Sequence, residues 1–247
     1  MQSVIHLIYV FIPAALAVWM LRQARDKKDV AAMVLIAVLI GMIFNLLVMG
    51  LGRFIGFGPT LLALSWMRFG AIPLFGALPA LVAAIIIARA ACTPRTGRIV
   101  LRLTSAIVAV CIAWELSTWP DLHLYVNCSG DIARYTAFVP AHQRCSGAPA
   151  APSALVHFPF ALIGGALIVL FFGVWLLLKR RDPTLLLGSL LGMALSPPVF
   201  PPFVASLADL SMVGALAVAC MRYPPKTPNS AEPDCVPTVV RTRKEPQ

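Results

Sequence analysis

The chain is 247 residues long, 60% hydrophobic and only 12% charged, with a mean hydropathy of +0.86 and a formal net charge of +10. A soluble domain carries about twice that charged fraction, so this composition excludes an ordinary soluble fold and describes one membrane domain. The positive excess does not indicate nucleic acid. Its residues sit in short clusters at the ends of apolar segments, as the positive-inside rule requires.

The first segment ends in Ala15-Leu16-Ala17, which mimics a signal-peptidase site. A signal peptide carries positive charge ahead of its apolar stretch, and here Arg22, Arg25, Lys27 and Lys28 come after it. It therefore reads as an uncleaved first span, about 3–21, with the N-terminus outside. Span two is 30–51. The stretch 60–88 exceeds the roughly 20 residues of an upright span, so it is either a tilted helix or an interfacial turn followed by a span. Pro73 and Pro79 would kink it.

Span four is 99–118, followed by the longest polar connection, 119–153, and by span five, 154–178. The last apolar block, 184–221, is long enough for two short spans, 184–197 and 203–221. Four prolines, at Pro197, Pro198, Pro201 and Pro202, mark a turn between them, because proline removes amide donors and clashes with a preceding helical turn. One broken helix is the alternative. The tail, 222–247, is polar and proline-rich and reads as disordered.

The expected fold is thus an all-α, polytopic bundle of about seven transmembrane helices, N-terminus out and C-terminus in. Charge supports that orientation. Lys and Arg number four in 22–29, four in 89–102, three in 179–181 and five in 222–247, which is sixteen of twenty. The outer side keeps Arg53, Arg68, Arg134 and Arg144. The expected location is a plasma membrane of the bacterial inner-membrane type. Retinal proteins share a seven-span plan, but span seven holds no lysine for a Schiff base.

Cys128 and Cys145 both lie in the exoplasmic loop 119–153, where oxidising conditions favour a disulfide. A bridge between them would contribute on the order of 3 kcal/mol of chain constraint. Asn127-Cys128-Ser129 also matches a glycosylation sequon, a weak signal. The loop reads as a solvated cap on the bundle and as the surface for any protein partner.

Ionisable residues inside spans cost roughly 2.5–3.5 kcal/mol at a helix centre, so each is a functional hypothesis. At 1.5 Å per residue, Asp209 and Asn45 lie about 9 Å in from the outer ends of their spans, and Arg68 about 12 Å. Glu115 and His157 are shallower, about 5 Å. All five, with His6, fall in the outer half. Small residues repeat with them: Ala37, Gly41 and Asn45 share one helix face, and so do His157, Ala161 and Gly164 or Gly165. Such faces pack closely, which turns Asn45 and His157 inward. Gly188, Gly192 and Ser196 form a third stripe.

A polar layer open to the outside or to the outer leaflet suits an intramembrane acid–base enzyme acting on a lipid or isoprenoid. Asp209 and Glu115, the two carboxylates within spans, and His157 are the candidate catalytic residues; a carboxyl in a low-dielectric pocket stays protonated and can donate. Arg68 and Asn45 are the candidate substrate-binding residues. No cofactor and no metal are expected, since no second cysteine pair accompanies the first and histidines at span ends serve more commonly at the interface than as haem ligands. Two other classes fit the same residues: a small-solute transporter, and a non-catalytic assembly or receptor component.

Overall fold

The computed structural model describes residues 1–27, 29–91, 93–129, 131–137, 139, 143, 145, 160–196 and 201–225. Among them, eight helices run in chain order: α1 (Gln2–Tyr9), α2 (Phe11–Lys27), α3 (Val30–Ile55), α4 (Pro59–Ala90), α5 (Pro94–Ser117), α6 (Phe160–Arg180), α7 (Thr184–Leu195) and α8 (Pro202–Arg222). Strands β1 (Tyr125–Ser129) and β2 (Ile132–Thr136) form one antiparallel hairpin between α5 and α6. The all-α expectation holds apart from that hairpin.

Proline decides where the helices break. Pro13 has no amide to give the Tyr9 carbonyl, and its ring crowds it; the first span accordingly divides at Val10 into α1 and α2. Pro73 and Pro79 behave differently, since α4 runs unbroken through both for 32 residues. At about 48 Å it outreaches a hydrocarbon core of roughly 30 Å, so the single long helix replaces the turn-and-span alternative. Pro202 opens α8 at a first-turn position, where a missing amide costs nothing.

Six helical segments among the described residues are long and apolar enough to cross a membrane: Gln2–Arg25, Val30–Ile55, Pro59–Ala90, Pro94–Asp121, Phe160–Arg180 and Pro202–Arg222. The block 184–197 is not a seventh of full length. Its helix α7 has 12 residues, about 18 Å, and it pairs antiparallel with α8. The other interior surfaces fit an inverted amphipathic pattern: Leu35, Leu39, Leu46, Ile86, Val169, Leu176 and Leu216 are buried, while Ile99, Leu103, Ile107, Val110 and Trp114 of α5 are exposed.

Glycine permits the closest helix approaches. A Cβ on Gly165 of α6 would collide with the Gly76 carbonyl of α4, and one on Gly188 of α7 with the Ala215 side chain of α8. These are the small-residue faces of α6 and α7 seen in the sequence, and both turn inward.

The chain alternates between two ends of the bundle. At one, two aspartates latch neighbouring helices. Asp29 caps α3 by accepting from the Ala32 amide at 3.1 Å and receives Arg89 of α4 at 2.6 and 3.1 Å. Arg89 also donates to the Tyr223 carbonyl after α8. Asp182 accepts from the Thr184 amide at 3.0 Å, from Arg222 at 2.7 Å and from the Tyr223 hydroxyl at 3.3 Å. The described beginning of the tail is therefore tied down.

Burial pushes the Asp29 carboxyl up, but the hydrogen bonds from Arg89 and the Ala32 amide outweigh it and hold it below its usual range. Burial acts likewise on Asp182, against Thr184, Arg222 and Tyr223, and it too ends low. A carboxyl lowered by folding stabilises the fold fully above its unfolded value near pH 4. That contribution is lost as pH falls through the lower, folded value.

Two outcomes follow in thermal melts of the detergent-solubilised chain. Gly165→Ala forces the α4–α6 backbones apart and lowers stability by about 1–3 kcal/mol, the usual penalty of overpacking. Arg89→Gln strands the buried Asp29 carboxylate and costs about 3–5 kcal/mol near neutral pH; the gap to wild type narrows below about pH 4 as Asp29 protonates.

Candidate functional site

The hairpin end is organised by two buried arginines. Arg68 projects from α4 and is only 6% exposed. Its Nη1 donates to the Met49 sulfur of α3 at 3.1 Å and its Nη2 to the Tyr135 carbonyl of β2 at 3.0 Å. Its Nε is buried with no hydrogen-bond partner among the described residues. Arg134 of β2 reaches the same Met49 sulfur at 3.5 Å, Asn127 Oδ1 at 3.4 Å and Gln143 Oε1 at 3.3 Å. Burial pulls the Arg134 guanidinium down to about 10. Among the described residues every acceptor on either arginine is neutral.

The hairpin reaches Arg68 because it is pinned on both sides. Asp131, at its turn, pairs with the Met1 amino group and with Arg53 of α3 at 2.9 Å, and accepts from the Gln2 amide at 2.8 Å. The Met1 amino group leads in holding the Asp131 carboxyl down to about 2. The Ala133 carbonyl lies over Gly52, where a Cβ would strike it. Cys128 of β1 is joined to Cys145, with Cα atoms 5.0 Å apart. The bridge keeps Gln143 beside Asn127, whose Nδ2 donates to it at 3.1 Å. Asn127 is fully buried, so the sequon is not presented for modification.

Below the hairpin a cavity of about 160 Å³ lies between α3, α4 and α8, with Leu162 of α6 at its edge. Three polar side chains line it: Asn45, Arg68 and Asp209. These are three of the five candidate residues, gathered from three helices. Apolar residues, among them Val38, Met42, Phe75, Met212 and Val213, form the rest of the wall. Arg68 and Asp209 share the cavity without an ion pair, which answers whether they meet: the four pairs among the described residues are Met1–Asp131, Arg53–Asp131, Arg89–Asp29 and Arg222–Asp182.

Glu115 is elsewhere. It is 3% exposed on α5, and its Oε2 accepts from the Ala161 amide in the first turn of α6 at 2.9 Å. A carboxylate at a helix N-terminus meets both an orphan donor and the positive end of the dipole. It thereby couples α5 to α6 and does not line the cavity. His157 lies outside the described residues. His6 is buried at the α1–α3 contact, its Nδ1 against the Gln2 carbonyl at 2.9 Å, and it too is away from the cavity.

Met49 was not legible in the sequence, because a thioether that accepts from two guanidinium groups resembles any other apolar residue in a span. Asp131 stood in the sequence only as one polar loop residue among several. Comparison of the chain with models of protein families, with curated proteins and with solved structures finds no match in any of the three. The six long apolar helices fit a polytopic integral membrane protein, and its described residues enclose a cavity with a polar end.

Replacing Glu115 tests the division of labour between the two in-span carboxylates. Glu115→Leu leaves the buried Ala161 amide unpaired and costs about 1–3 kcal/mol, read as a lower melting temperature. Loss of the Cys128–Cys145 bridge, as Cys145→Ser, should cost on the order of 3 kcal/mol in the same melt.

Proposed function

We propose that this is an integral membrane protein whose cavity binds an amphiphilic lipid or isoprenoid and acts on it by acid–base chemistry. Asp209 is the proton-transfer group, with Arg68 and Asn45 holding the polar end of the substrate. The observation that carries the reading is the convergence of Asn45, Arg68 and Asp209, from three helices, on one largely apolar cavity. Neither Asn45 nor Asp209 has a hydrogen bond to another described side chain or backbone group, so both remain available to a ligand. A carboxylate in such surroundings can take a proton from a bound ligand and return it.

The orientation follows from charge. Arg22, Arg25, Arg89, Arg95, Arg98, Arg102, Lys179 and Arg180 gather toward the end latched by Asp29 and Asp182, and the positive-inside rule assigns that end to the cytoplasm. The hairpin and its disulfide then face the exoplasm, N-terminus out. Counting α7 with α8 as one down-and-back pair gives seven passages, in a plasma membrane of bacterial type. The cavity opens in the outer half.

The test is a double-mutant cycle on Asp209→Asn and Arg68→Gln, with melting temperature and membrane accumulation as readouts. Because the two side chains make no ion pair, the double variant should show no recovery of stability over the single variants. Lipid extracts from cells lacking the protein and from cells carrying Asp209→Asn should show the same altered species. Recovery of stability in the double variant would make the charges a structural pair and remove the acid–base role. Identical lipid extracts across all strains would also sink it.

A further inference from the structure

The cavity also specifies the charge of what it holds. Two guanidinium groups, Arg68 and Arg134, share the Met49 sulfur, and neither forms an ion pair among the described residues. A buried cation without an anion is strongly disfavoured in a low-dielectric site. The one carboxylate on the cavity, Asp209, stands apart from them on α8. With Asp209 ionised, the group carries one net positive charge. Arg68 lines the cavity, and its buried Nε has no hydrogen-bond partner among the described residues.

A ligand that completes this site brings one negative charge to Arg68 and a hydrogen-bond donor to Asp209. A fatty-acid carboxylate supplies the charge but no donor. A zwitterionic amine headgroup supplies a donor but cancels its own charge, leaving the arginines in excess. A phosphodiester bearing a hydroxylated headgroup supplies both. We propose that the cavity takes the headgroup of a monoanionic, hydroxyl-bearing phospholipid, its phosphate on Arg68 and its hydroxyl donating to Asp209, with Asn45 bridging the two. This rests on the amphiphile-binding role above and narrows it to one lipid class. The apolar wall of Val38, Phe75, Met212 and Val213 receives the glycerol and first chain carbons.

The experiment is a thermal melt of the full chain in a neutral detergent with added phosphatidylglycerol, phosphatidylethanolamine, oleate or dioleoylglycerol. Phosphatidylglycerol should raise the melting temperature by roughly 3–6 °C at about ten times its Kd, the size expected for a chain of this length. The other three lipids should do markedly less. Ala71→Phe, which fills the cavity and leaves every charge in place, should abolish the shift, as should Arg68→Gln. Asp209→Asn should reduce the preference for phosphatidylglycerol over oleate. If Arg68→Gln does not accumulate, Ala71→Phe and Asp209→Asn still decide the matter.

An equal shift with phosphatidylethanolamine overturns the charge assignment, and an equal shift with oleate overturns the hydroxyl contact. A shift with dioleoylglycerol that Ala71→Phe removes overturns the phosphate but supports an amphiphile cavity. If no lipid gives a shift that Ala71→Phe removes, the cavity is not a lipid site and both proposals fall together.

Discussion

A guanidinium at the depth of Arg68 is tolerated only if the protein brings acceptors to it, and that requirement shapes the hairpin end of the bundle. Helix α3 contributes the Met49 sulfur and β2 the Tyr135 carbonyl. To deliver that carbonyl the hairpin must lie down on α3 and α4, and it does so over Gly52, where no side chain intervenes. Asp131 then holds the hairpin turn against Arg53 and the first residues of α1. The disulfide secures the return segment that places Gln143 on Arg134. Each of these contacts serves the next, and the cavity inherits its polar end from the chain of them.

The two ends of the molecule treat charge in opposite ways. At the Asp29 end each buried carboxylate is matched by an arginine and by backbone or hydroxyl donors, and the result is a set of clamps between helix termini. At the hairpin end Arg53 pairs with Asp131, but among the described residues Arg68 and Arg134 are bound through neutral atoms and Asp209 has no cation partner. Matched buried pairs contribute rigidity; unmatched ones raise the energy of the empty state. Among the described residues the imbalance lies around the cavity lined by Asn45, Arg68 and Asp209.

Which of these features could be read in the sequence depends on how local their cause is. Asn45, Arg68 and Asp209 were legible because a polar residue in an apolar run is conspicuous, and the glycine spacing on α3 fixed the inward direction of Asn45. Glu115 was conspicuous for the same reason, but its partner is a backbone amide 46 residues away, and no residue type announces that. Asp29 and Asp182 carried an unread signal: each follows a basic run and precedes an apolar helix, the place of a capping residue. The cysteine pairing was readable because Cys128 and Cys145 are the two cysteines in the long polar connection 119–153. The short helix expected over 184–197 is present as α7, Thr184–Leu195, because the apolar run ahead of Pro197 is itself short.

That short helix has a consequence for the surrounding bilayer. Beside α8, which has 21 residues and measures about 32 Å, α7 offers about 18 Å of rod. Lipids along this flank meet a protein wall of uneven height, and a local difference in hydrophobic length carries an energetic cost for every ångström unmatched. The α7–α8 pair is thus the part of the molecule whose fit depends on membrane thickness. It also carries Asp209, so the thickness of the host membrane bears directly on the wall of the cavity.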